Sequence, residues 1–158
     1  MTDYTASLPR KRMGAGVVFT NQDGHVLLVE PTYKPSWEIP GGAVEADESP
    51  RTTAIREIEE ELGLDVTPGR LLVVDWVPAQ HGRTEGLMLL FDGGHLTPEQ
   101  TSTIRLPGEE LRSWAWCDPS QAQQRLSGLL ARRIAIALEV RTTGMTAFLE
   151  NGYRQRVE

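Results

Sequence analysis

This chain of 158 residues predicts an α/β fold, a mixed β-sheet held between helical layers. Three observations predict it. Apolar runs rich in Val, Leu and Phe lie both before and after a capped helix, a second helical pattern follows the last of them, and 39% hydrophobic content over one domain's length is enough to fill a core. Strands that flank a helix on both sides in sequence are most simply joined in one sheet that the helices cover.

Taken in order, Gly14 to Phe19 and Val26 to Glu30 read as strands joined by the turn Asn21-Gln22-Asp23-Gly24. Pro31 to Ser36 is an irregular loop, Trp37-Glu38-Ile39 is short and extended, and Pro40-Gly41-Gly42 is read as a turn into the first helix. That helix has its limits written in it: Ser49 as N-cap, Pro50 as first residue and Gly63 as the left-handed end. Ile55, Ile58 and Leu62 form its apolar stripe, with Leu64 folding back towards Ile58. Leu71 to Val77 and Gly86 to Phe91 are further strands, connected by Pro78 to Glu85, and Asp92-Gly93-Gly94 is expected to end the second. His95 to Glu110, broken by Pro98, Pro107 and Gly108, is expected to be a loop with one helical turn. Arg112 to Cys117 reads as a strand, and Pro119 to Arg141 as one helix capped by Asp118, with Leu126, Leu129, Leu130, Ile134 and Leu138 on its apolar side. In the tail from Thr142 to Glu158, Phe148, Leu149 and Tyr153 pack on the body or on a second subunit, so a homodimer stays open.

Composition narrows the class. A net charge of −6 argues against broad binding to nucleic-acid polymers but suits a small phosphorylated substrate once a metal bridges the charges. No apolar run precedes Arg10-Lys11-Arg12, read as a solvated lead-in with a phosphate contact as the minority reading, and runs such as Leu87 to Phe91 are too short to span a bilayer. A soluble, unexported, cytoplasmic protein is expected. The single cysteine, Cys117, sits in a strand with no histidine nearby in sequence and reads as a buried structural thiol.

The informative feature is acidic. Glu57, Glu60 and Glu61 stand at i, i+3 and i+4, roughly 130° around from the apolar stripe, and are expected to face an open cleft or solvent. They crowd the negative end of the helix dipole, and each like-charge pair costs about 0.2–0.5 kcal/mol. Clustered oxygen ligands of this kind suit a hard divalent cation such as Mg²⁺. On an arbitrary Glu-rich helix they would be a solvated face. Here Gly42, Glu48, Arg56, Glu57, Ile58, Glu60, Glu61, Gly63 and Leu64 match the Nudix box at every position, a coincidence on the order of 10⁻⁹ per starting position at average residue usage. The chain resembles the Nudix hydrolases over Gly42 to Leu64.

The resemblance implies an α/β/α sandwich, a single hydrolase domain over residues 1–158, and hydrolysis of a nucleoside diphosphate linked to another group by water attack on phosphorus. Substrates of this class include nucleotide sugars such as ADP-ribose and nucleoside triphosphates. It implies Mg²⁺, or Mn²⁺, held by Glu57, Glu60, Glu61 and the Gly41 carbonyl, with Arg56 and Glu48 supporting the ligands. A further carboxylate from outside the box often acts in this family; Glu109 or Glu110 is placed to supply it, Glu110 being preferred, with Glu85 and Glu99 as competitors. Tyr33, Lys34 and Trp37 form a candidate substrate cluster just ahead of the glycines, although core packing suits Trp37 at least as well. His25, His81 and His95 receive no role. The alternative is a Nudix-fold module that senses a nucleotide without cleaving it, for which an eroded box is the expected sign.

Overall fold

The computed structural model describes residues 3–156; Met1 and Thr2 of the expected lead-in, and Val157 and Glu158 of the expected tail, lie outside the described residues. After a 3-10 turn at Tyr4–Ser7 come β1 (Arg12–Thr20), β2 (Val26–Pro31), β3 (Gly41–Ala43), α1 (Pro50–Leu62), β4 (Leu71–Val77) and β5 (Gly86–His95). They are followed by α2 (Pro98–Thr101), β6 (Leu111–Cys117), α3 (Pro119–Arg125), α4 (Gly128–Thr143), β7 (Ala147–Glu150) and β8 (Tyr153–Arg154). The strands make one mixed sheet in the order β6-β2-β1-β5-β4-β7-β8, with β3 joined to β1. β1 runs parallel to β5 and β4 parallel to β7, while the other pairings are antiparallel.

Side chains alternate across this sheet, so each strand feeds two cores. Val17, Phe19, Leu27 and Val29 meet Ala54, Ile58 and Leu62 of α1 on one face. Val18, Leu28, Leu72 and Leu90 meet Leu126, Leu130, Ile134 and Ala137 from the α3–α4 end on the other. The fold is the α/β class that the sequence predicts, with helices on both faces. Cys117 is buried, as expected.

The feature that builds the site is a parting of β1 from β2, which pair only at Thr20 and Val26. The segment from Trp37 to Ala43 fills the gap. Val29 N–H donates to the Glu38 carbonyl at 2.8 Å and Glu38 N–H to the Val29 carbonyl at 2.9 Å. Gly41, Gly42 and Ala43 then pair with Gly16, Ala15 and Gly14 of β1. The expected turn at Pro40-Gly41-Gly42 is therefore a short strand, because the opened edge of β1 needs backbone partners there.

Three other expectations are corrected. β5 does not end at Asp92 but continues to His95, since Gly93, lacking a side chain, passes beneath Phe19 and Val17 while the register with β1 shifts between Val18 and Phe19. The helix expected from Pro119 to Arg141 is two helices. Leu126 is extended, Trp37 N–H donates to the Arg125 carbonyl at 2.9 Å, and Ser127 caps α4 through Leu130 N–H at 3.3 Å. In α4 the buried positions include Arg133, Ala137 and Val140, while Leu129 and Leu138 are only partly buried. The tail resolves unevenly: Leu149 is fully buried in β7 against the body, whereas Phe148 and Tyr153 are each 55% exposed.

Leu149 thus ties the tail to the sheet. Leu149→Ala is expected to lower unfolding stability by about 2–5 kcal/mol, read as a lower midpoint in urea with little change in slope. An unchanged midpoint would mean that β7 is not part of the cooperative core.

Candidate active site

The inner face of α1 is turned relative to the expected stripe. Thr53, Ala54, Ile58 and Leu62 are buried, and Ile55 is only partly so. At 100° per residue Glu61 lies roughly 20° from Ala54, so it belongs to the inner face and not to an open one. The cause is β3. Its two glycines present no side chains to α1, and the Glu57 carboxylate occupies the space that a Cβ on Gly42 would need. Glu61 Oε2 accepts from Gly41 N–H at 3.1 Å. Glu60 points the other way, with its side chain 57% exposed against 15% for Glu57. The three therefore part company: Glu60 stands in solvent at the rim, Glu61 faces a cleft as expected but from the inner side of α1, and Glu57 is tucked against β3.

Arg56 answers part of the charge crowding. Its Nε and Nη2 donate to Glu48 Oε2 and Oε1 at 2.8 and 2.9 Å, a two-pronged grip that fixes the guanidinium plane. Nη1 reaches Glu57 Oε1 at 3.0 Å and Glu60 Oε2 at 3.4 Å, and Nη2 donates to the Ala43 carbonyl at 3.2 Å. The Arg56 hydrogen bonds, with help from the Thr53 hydroxyl, hold Glu48 down to about 2, and Glu48 in turn raises Arg56. Burial pushes Glu57 up, opposed by Arg56.

Glu61 has no such relief. Among the described residues no cation pairs with it, and burial, reinforced by Glu57, Glu38 and Glu110, pushes it up to about 8 against the single hydrogen bond from Gly41. The donors are carboxylate oxygens beside exposed backbone, a set that fits a hard divalent ion. Among the described residues no three acidic, His or Cys side chains yet converge on one point. The contacts of Arg56 with Glu57 and Glu60 account for this, since they draw both carboxylates towards the guanidinium.

The remaining candidates separate. Glu110 is exposed where β6 begins and adds repulsion to both Glu57 and Glu61. Its carbonyl and that of Glu109 accept from Thr32, which ties this corner to β2. Glu85 is paired with Lys11 and accepts from Trp76 Nε1 at 3.0 Å, and Glu99 lies in the exposed first turn of α2. Tyr33 is exposed at a cavity lip and Lys34 is paired with Glu38. Trp37 departs from that cluster, packing on the α3–α4 core with Arg125 stacked 4.4 Å from its ring. A cavity of about 380 Å³ opens from Gly41 and Glu61, and its wall includes Arg12, which the sequence offers only as a minority phosphate contact, and Arg83, Met88 and Arg133, which it does not single out. The available signal is an arginine, Arg133, that falls at helical spacing with Leu130, Ala137 and Val140 in α4.

A sheet parted around a glycine strand, with a capped helix laying paired glutamates against it, defines the Nudix class of hydrolases. The NUDIX domain family model matches residues 10–137, and the chain belongs to that family. It is similar to a CTP pyrophosphohydrolase of Escherichia coli strain K12, 31% identical over 107 residues that cover 65% of this chain and 73% of the relative. It is also similar to an RNA pyrophosphohydrolase of Gluconacetobacter diazotrophicus, 30% identical over 155 residues covering 81% and 88%. The fold matches the crystal structure of a MutT protein from Methanosarcina mazei Go1 with a TM-score of 0.68 at 20% identity, covering 89% of this chain and all of that one. The protein is a Nudix hydrolase. Among the described residues no helix is long and apolar enough to cross a membrane.

Glu61 gives the site a pH signature. Folded, the carboxyl stays protonated to about 8, whereas unfolded it ionises near 4.5, so between those values the unfolded state binds fewer protons. Glu61 therefore makes metal-free stability fall as pH rises from about 4.5 to 8. Glu61→Gln is expected to flatten that fall and to melt above the parent at pH 8 in chelator. Thermal melts from pH 5 to 8.5 check this; parallel curves for both proteins would show that Glu61 carries no such burden.

Proposed function

We propose that this protein is a divalent-metal-dependent pyrophosphohydrolase acting on a small nucleotide in which a nucleoside diphosphate is linked to a further group. The observation that carries this reading is Glu61, half-buried on the same helix as Glu57 at the wall of a cavity, with no cationic partner among the described residues. Mg²⁺ or Mn²⁺, when bound, supplies activation of water and neutralisation of the leaving phosphate. Glu57, Glu60, Glu61 and the Gly41 carbonyl are the residues that would hold it. The chain's own work is positioning: Gly41 N–H fixes Glu61, while Arg56, gripped by Glu48, fixes Glu57 and tethers Glu60. Little covalent chemistry is then left to the protein. Glu110 is the candidate base, since its charge is felt by both inner glutamates while Glu85 is committed to Lys11 and Glu99 stands apart in α2.

A CTP pyrophosphohydrolase and an RNA pyrophosphohydrolase among the relatives both support phosphoanhydride cleavage. The net charge of −6 favours the small nucleotide over the polymer. Turnover is assayed on nucleoside triphosphates, nucleotide sugars, dinucleoside polyphosphates and 5′-triphosphorylated RNA, with Mg²⁺, with Mn²⁺ and with chelator. Metal-dependent release of a nucleoside monophosphate or pyrophosphate from a small nucleotide is expected. Tight binding without turnover across the panel would favour the sensing module instead. Glu110→Gln is expected to lower kcat by about 10²–10⁴-fold, with Glu99→Gln near wild type. Near-wild-type rates for both would remove Glu110 from the mechanism.

A further inference from the structure

Two neighbouring cavities share a wall that includes Glu38, Met88 and Leu130, and only the first reaches the inner glutamate Glu61. The first, about 380 Å³, runs from Glu61 and Gly41 to Arg133; the second, about 500 Å³, continues past Met88 and Leu130 to the turn between β4 and β5. Arg12, Arg83 and Arg133 line both.

Arg133 is the fixed element. It is 8% exposed, and its Nε donates at 2.7 Å to Asp75, which is itself fully buried and accepts from Gly152 N–H at 3.0 Å through its other oxygen. Among the described residues the hydrogen bond through Nε is the one its side chain makes, and Nη1 and Nη2 are not sealed from the cavities. Two donors of a buried, anchored guanidinium are thus unspent, with their ordering cost already met by the fold.

The charges around it do not cancel. Lys34 is paired with Glu38 and Arg133 with Asp75. Arg12 spends its Nε on the Thr84 carbonyl at 2.7 Å, and Arg83 ends a turn closed by its backbone bonds with Gln80 at 3.1 and 2.9 Å. Neither has a carboxylate partner among the described residues, so this wall is positive in a chain whose net charge is −6. The second cavity has no Phe, Tyr or Trp in its wall among the described residues, and His81 is its one aromatic ring. Unspent guanidinium donors with uncompensated positive charge suit phosphate.

We propose that this basic wall binds a second phosphate of the substrate, separate from the diphosphate that is cleaved, such as a 2′- or 3′-phosphate on the ribose. The inference rests on the pyrophosphohydrolase reading, which puts the cleaved diphosphate at the Glu61 end. Two measurements test it. Calorimetry in chelator compares 5′-AMP with adenosine 2′,5′- and 3′,5′-bisphosphate, and kinetics with Mg²⁺ compare ADP-ribose with its 2′-phosphate and dephospho-coenzyme A with coenzyme A. At least one bisphosphate is expected to bind about tenfold or more tightly than 5′-AMP, with the matching substrate favoured in KM. In the double variant R12Q/R83Q that ratio collapses towards one, while in R105Q, which removes an exposed arginine beyond α1, it persists. Equal affinities for all three nucleotides, or a ratio that survives R12Q/R83Q, overturns the proposal. Because the binding measurement needs neither metal nor turnover, a preference without catalysis in the metal assays would sink the pyrophosphohydrolase reading alone, and catalysis without a preference would sink only this one.

Discussion

The rest of the site depends on one constraint: an acid, Glu61, is held on the inner face of a helix where nothing of opposite sign among the described residues reaches it. Taking an acid out of water without a partner is among the more costly things a fold can do, and the usual escape is to keep the proton. The geometry around Glu61 enforces this state. Ala54, Ile58 and Leu62 lock the rotation of α1 against the sheet, and Gly41 N–H fixes the carboxyl from the other side. Rotating the helix to free the acid would expose the core it shares a face with. Local cost of this kind, imposed by packing, is how a fold can keep a group ready for a ligand that is not part of the chain.

That placement is prepared by the backbone before any glutamate is involved. Because β1 and β2 part after one pair of residues, an edge is opened inside the sheet, and the chain from Trp37 to Ala43 closes it. A strand at this point with ordinary side chains would hold α1 away. With Gly42 there, the helix approaches until the Glu57 carboxylate lies where a Cβ would be. Arg56 completes the scaffold from outside, gripping Glu48 with two hydrogen bonds and drawing Glu57 and Glu60 towards it. The three acids of α1 are therefore not equivalent: Glu57 and Glu60 each meet the Arg56 guanidinium, and Glu61 meets no cation among the described residues.

Much of this is legible in the sequence, and the reasons divide cleanly. Ser49, Pro50 and Gly63 encode helix limits by local hydrogen bonding and backbone preference, so they read correctly without tertiary context. The box carries its spacing in sequence, so spacing alone selects Glu57, Glu60 and Glu61. The rotation of α1 is not legible in the same way, because Ile55 and Ala54 compete for the inner face and the glycines of β3, not hydrophobicity, decide between them. β3 itself reads as a turn since two glycines after proline carry no strand signal; its pairing comes from the opened edge of β1. Similarly, Leu126 ends a helix because the backbone of Trp37 docks on Arg125, a long-range bond that no window of residues contains. Tyr33, Lys34 and Trp37, neighbours in sequence, diverge because Trp37 is claimed by the core and by Arg125.

The cleft is left polarised along its length, and the polarity follows from the same economy of partners. At one end Glu61 has no cation among the described residues; at the other Arg12 and Arg83 have no carboxylate there. Within one chain these groups would neutralise each other if they could touch. Among the described residues they do not: Arg133 is tied to Asp75, Arg12 spends its Nε on the Thr84 carbonyl, and Glu61 is held by Gly41 N–H. While Glu61 keeps its proton the arginines supply the charge in the cleft, and a bound cation would restore a negative carboxylate at the other end. A molecule that meets the acidic end only through a cation, and the basic end directly, relieves both at once.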